Sequence, residues 1–172
     1  MRAGRFAGVA LVTAAVLATA CAPPPPPDPG ISNIDLAIRL ADMPAGLVLA
    51  HNQGSSLELR PADETVSGTI WFAVGPEQRG VNLVAAVKEH QTRIEGLPDG
   101  QYQGAQELQG PLGTAFYSRG RYLEGETDQE ETVLLTIHPS ENRLLKITYR
   151  YPAGDDSAAR VEQLIGVLAE VE

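Results

Sequence analysis

Two stretches of this chain repeat their apolar residues at helical spacing, while most of the sequence from 34 to 151 alternates like strand. That contrast limits the fold more than any other feature, because the two periods bury different faces. The first stripe is Leu83, Ala86, Val87, His90, Ile94 and Leu97. Asn82 stands where an N-cap belongs and Gly96 where a C-cap belongs, so the spacing predicts a helix over 83–95. The second stripe, Val161, Leu164, Ile165, Leu168 and Val171, predicts a closing helix. The run "GDDS" at 154–157 supplies its cap and an acidic first turn.

Residues 34–40 alternate apolar and polar and read as one half-buried strand. Residues 47–49 and 57–59 flank a turn-forming run, 51–56, and read as a hairpin. The nearly continuous apolar run 69–74 reads as a central strand. Four further strands are expected over 102–109, 114–123, 132–138 and 144–151, the last two joined by a tight turn at 139–142. The expectation is a single α+β domain over 31–172, a mainly antiparallel sheet with helices packed on it. That length can bury a core without staples.

The order of strands, one helix, a four-strand meander ending "LLKITYRYPAGDDSAARVEQLIGVLAEVE", and a closing amphipathic helix resembles the PsbP/Mog-type fold. The resemblance implies an α/β/α sandwich. It also implies a binding or assembly accessory, as is usual in that family, which includes many bacterial lipoproteins. It carries no site residue onto this chain.

The N-terminus places the domain. Arg2 and Arg5 precede an apolar run, 6–20, that is short for a membrane span and has the order of a secretory signal. The signal peptide is assigned to 1–20. Leu17-Ala18-Thr19-Ala20-Cys21 resembles the bacterial lipobox, in which small residues precede a cysteine that is acylated before cleavage; Ala18 departs from the leucine usual there. The rival is ordinary cleavage after Ala18-Thr19-Ala20, which would leave an unmodified Cys21. An exposed thiol with no second cysteine is a liability, which favours Cys21 as the lipid anchor. Five prolines, 23–27, then make 21–30 a lipid-anchored tether of roughly 28 Å in extended polyproline form.

The formal charge is −9, and loss of Arg2 and Arg5 takes it to −11. That argues against nucleic acid and anionic lipid surfaces as partners.

Few residues suggest chemistry. His51, His90 and His138 are the candidates for a general base or zinc ligand, and none has a ligand spacing. His90 lies on the apolar stripe and reads as a packed histidine. His138 reads as a hairpin-rim residue and His51 as a loop residue. Ser55, Ser56, Ser118, Ser140 and Ser157 all lack a nucleophile setting, and Ser157 reads as part of a helix start. The glycine-containing runs 96–104 and 110–113 match no phosphate-binding fingerprint. Carboxylates crowd "EGETDQEE", 124–131, without the spacing of a calcium loop. That segment reads as a solvated loop between strands, with weak divalent binding as the functional alternative. Tyr102, Tyr117, Tyr122, Tyr149 and Tyr151 lie in expected strands and would line a binding surface if several shared an outward face.

The function expected is that of a non-enzymatic cell-envelope lipoprotein on the extracytoplasmic side of a bacterial membrane. Acyl chains such as palmitate on Cys21 would hold it there, and its partner would be another envelope protein. No cofactor or metal is expected. The alternative is a small-molecule carrier or hydrolytic enzyme with a cleft between sheet and helix. A concave pocket gathering His90 or His138 with carboxylates would favour that alternative.

Overall fold

The computed structural model of the chain describes residues 30–140, 142–154 and 156–172. The signal sequence, Cys21 and the proline run lie outside the described residues, as do Glu141 and Asp155. The elements are β1 (Ile31–Asn33), β2 (Ile38–Leu40), β3 (Leu47–Gln53), β4 (Ser56–Pro61), β5 (Thr69–Val74), α1 (Leu83–Glu95), β6 (Gln101–Gly110), β7 (Gly113–Glu124), β8 (Thr127–Ile137), β9 (Leu144–Pro152) and α2 (Ser157–Ala169). Strands β3 to β9 form one sheet in the order β3-β4-β5-β9-β8-β7-β6, every neighbour antiparallel. The fold is thus a mostly antiparallel sheet with two helices packed against it.

Strand alternation sends the helices to opposite faces. In β8 and β9, Thr132, Leu134, Ile147, Tyr149 and Tyr151 point to one face, where α2 and the β1–β2 hairpin complete the main apolar core. Glu131, Val133, Leu135 and Arg150 point to the other, where α1 lies over β6, β7 and β8. Each fully buried leucine of such a core contributes about 1.5–3 kcal/mol. Tight turns hold the register: Gly54 (φ 54°) and Gly125 (φ 64°) take left-handed conformations in the β3–β4 and β7–β8 turns.

Helix α1 has the expected bounds. The Asn82 side chain accepts from the Ala85 amide at 3.0 Å, and the Gly96 amide closes the last turn on Thr92 and Arg93. The other helix start differs. Asp156 is the N-cap position of α2 but makes no capping bond; its carboxylate accepts from Arg160 Nε at 2.7 Å instead. The buried stripe is also rotated. Ile165 is 37% exposed, while Val167 is fully buried and Arg160 takes a buried place against the Tyr149 and Tyr151 rings.

Three expectations about strands are corrected. Residues 34–40 do not form one strand: Ile34 is 92% exposed in a turn and only Ile38–Leu40 pairs, with Ile31–Asn33. Asn33 explains the break. Its side-chain oxygen accepts from the Leu36 amide at 2.9 Å, and its Nδ2 donates to Asn52 Oδ1 and to the Gly54 and Ser56 carbonyls. His51 is not in a loop; it lies in β3 opposite Glu58. The run 69–74 is an interior strand, but the middle place of the seven belongs to β9.

Candidate functional site

The acidic run is the largest correction, and it leads to the site. Only Gly125 and Glu126 form the turn, and Thr127 onward is strand β8. Glu130 and Glu131 are 4% and 1% exposed. The carboxylates face arginines across the sheet: Glu124 is 3.8 Å from Arg150 and Asp128 is 2.5 Å from Arg121, while Glu130 pairs with Arg119 and Glu131 with Arg93. A buried carboxylate without such partners would be costly.

Glu131 is the hub. Gly120 pairs opposite it in β7, and a Cβ there would come within 2.6 Å of Ile94. That glycine lets α1 settle on the sheet. One turn of helix then brings His90 and Arg93 to Glu131, because positions three and four apart share a face. His90 Nε2 lies 3.3 Å from Glu131 Oε1, within ion-pair range but off the line of a hydrogen bond. From β9, Arg150 donates to Glu131 Oε2 through Nε at 3.4 Å and NH2 at 3.3 Å. Burial pushes the Glu131 carboxyl up, but His90, Arg93 and Arg150 together outweigh it and hold the group at about 2.

A second link runs from the same histidine. His90 Nδ1 is 2.7 Å from Ser118 Oγ, which shares a 3.1 Å hydrogen bond with the Tyr102 hydroxyl. The Tyr102 ring stands edge-on to the imidazole. Ser118, His90 and Glu131 therefore follow one another as the groups of a nucleophilic relay do. Their surroundings oppose that use: Ser118 is 0% exposed and His90 3%, and Ser118 does not line the neighbouring cavity. In this arrangement the chain of polar groups ties α1 to β6, β7, β8 and β9.

The remaining candidates are placed elsewhere. His138 is buried rather than an open rim residue; its Nε2 donates to the Leu36 carbonyl at 3.0 Å while Nδ1 accepts from the Ser140 amide at 3.2 Å. It pins the β1–β2 hairpin to the sheet. The tyrosines share no outward face. Tyr149 and Tyr151 point toward α2 and are buried, and burial pushes Tyr151 up to about 12. Tyr122 lies on the α1 side beneath Arg150. Among the described residues, no three His, Cys, Asp or Glu side chains gather to hold a metal ion.

Trp71 is a half-buried aromatic residue on the part of the sheet that α1 does not pack against. On the α1 side of the sheet the helix packs mainly on β6 to β8, and among the described residues Val48, Arg60 and Ala73 at the β3–β5 end of that face are exposed. Trp71 is paired across strands with Glu58 and Thr148. The Arg150 guanidinium lies 5.2 Å from its ring centroid. Val48, on edge strand β3, is 37% exposed. Arg150 thus joins the buried hub to the open face.

No protein-family model and no curated protein matches the chain. Solved structures do match. LpqN, described as involved in cell envelope biogenesis of Mycobacterium tuberculosis, superposes with a TM-score of 0.53 at 17% identity, covering 83% of this chain and 83% of that one. The Saccharomyces cerevisiae Ran-binding protein Mog1p superposes with a TM-score of 0.51 at 14% identity, over 79% of this chain and 89% of that one. A second Mog1 structure gives the same TM-score. At these identities the likeness is one of fold. It is the PsbP/Mog-type architecture that the order of elements led us to expect.

Proposed function

We propose that the chain is a lipid-anchored protein of the bacterial cell envelope, tethered through Cys21, whose domain binds another envelope protein as a non-enzymatic accessory. The observation that carries this reading is the uncovered β3–β5 end of the sheet, with Trp71 and Arg150 on it. A half-buried tryptophan beside an arginine, next to an exposed apolar edge, has the composition of a protein-binding anchor. The burial of Ser118, His90 and Glu131 supports the non-enzymatic part. The run Leu17-Ala18-Thr19-Ala20-Cys21, which resembles a lipobox, supports attachment through Cys21. The envelope role described for LpqN agrees with this reading.

The test is site-specific photo-crosslinking in the native host. A photoreactive residue at Trp71 or Val48 is expected to give a discrete adduct, and one at Ile165 on the other face none. Adducts from Ile165 alone would overturn the assignment of the surface. The anchor is tested separately: Cys21→Ser should abolish incorporation of labelled palmitate, and continued labelling would sink that part.

A further inference from the structure

Helix α1 does not meet the sheet along its whole length. Between them lies a cavity of about 180 Å³, lined by Ala86, Glu89, His90, Arg93, Leu135, Leu144 and Lys146. Lys146 reaches it from β9, half-buried, with no carboxylate within ion-pair distance among the described residues. Burial pushes its ammonium down. Glu131 is engaged by His90, Arg93 and Arg150, and Glu89 at the rim is exposed. Arg93 and Arg150 are matched by Glu131 and Glu124, so Lys146 is the cation at this cavity that has no carboxylate at ion-pair distance among the described residues. A half-buried cation without a partner is unfavourable, and an anion that supplies one gains what the fold lacks.

We propose that this cavity binds a small monocarboxylate with a short apolar chain. The carboxylate meets Lys146 and a spare donor of Arg93, and the chain lies against Ala86, Leu135 and Leu144. Three of the seven lining residues are aliphatic, which disfavours an ion with no apolar body. The single ammonium of Lys146 and the Glu89 carboxylate at the rim disfavour a dianion. A cavity below the usual 300–1,000 Å³ of drug-sized sites limits the ligand to a few heavy atoms. The assignment does not depend on the partner-binding surface, and either can fail alone.

Butyrate is the probe, butyramide its neutral counterpart. With the full chain in detergent and its leucine methyls labelled, butyrate is expected to give saturable NMR shifts at Leu135 and Leu144, and butyramide none. Lys146→Met should weaken butyrate binding about tenfold or more, the usual loss for a charged hydrogen bond. Lys146→Arg should largely keep it. Absence of saturable shifts in both the natural chain and Lys146→Arg overturns the proposal. So does equal binding of butyramide, or inorganic phosphate binding as well as butyrate.

Discussion

Glu130 and Glu131 are neighbours in the chain and stand on opposite sides of one sheet, and the two sides are built differently. On the Glu130 side, α2 and the β1–β2 hairpin are held by Leu36, Ile38, Leu40, Leu164, Val167 and Leu168 in a continuous apolar core. On the Glu131 side, α1 buries only His90 and Ile94. There the helix is held by Arg93, His90 and Arg150 converging on one carboxylate. Ion pairs occur on both sides, Glu130 with Arg119 and Asp156 with Arg160 on the first. But the apolar contacts that supply most of the α2 packing do not titrate, whereas the hub under α1 is stable only while its carboxylate stays ionised. The comparison teaches that the two helices of one small domain should loosen under different conditions.

The strongest test removes the hub. Glu131→Gln leaves Arg93 and Arg150 without their shared anion; both are about a third exposed and Arg150 keeps Glu124, so the cost is about 3 kcal/mol, the low end for a broken buried pair. Denaturant unfolding should show that loss. Hydrogen exchange should show the α1 amides opening before those of α2; both helices opening in step would break the comparison. On the apolar side, Leu164→Ala should cost about 2–5 kcal/mol by leaving a cavity, and Glu162→Ala, exposed on the same helix, about 0.5 kcal/mol or less. Equal, small effects from both would show that α2 is peripheral.

Acid should separate the sides without mutation. The Glu131 carboxyl is lowered from an ordinary 4.5 to about 2. Its contribution is therefore fully present above pH 4.5 and is lost as pH falls toward 2, a change of about 3 kcal/mol. Denaturation midpoints measured across that window should fall steeply for the natural chain and less for Glu131→Gln. Parallel profiles would assign the acid sensitivity to other carboxylates. The smallest effect is expected at Ile165, which the helical stripe places inward and the fold leaves 37% exposed. Ile165→Ala should cost no more than about 1 kcal/mol, and Val167→Ala clearly more; the reverse order would return the stripe to its sequence-based phase.

The site was legible only in fragments. His90 could be read as a packed histidine, because it falls on a stripe with Ile94. Ser118 reads only as a serine without a nucleophile setting, the acidic run that ends at Glu131 reads as a solvated loop, and no local signal marks Arg93, Arg150 or Lys146. One signal was available: Arg119 and Arg121 stand before the Gly125 turn much as Asp128 and Glu130 stand after it. Folding the chain at that turn brings the opposite charges onto adjacent strands.

By itself the sequence determined the period and bounds of α1, the alternation of the long strands, the succession of elements along the chain and the class of fold. Those depend on side-chain spacing and on caps that bond within a few residues, as Asn82 does to Ala85. Only the tertiary structure decided which alternating residues would be buried charges and which half of a sheet face would stay open. Arg93 and Arg150 lie 38 and 19 residues from Glu131. Burying a carboxylate is favourable only when such distant cations arrive together, and no local pattern records that they will.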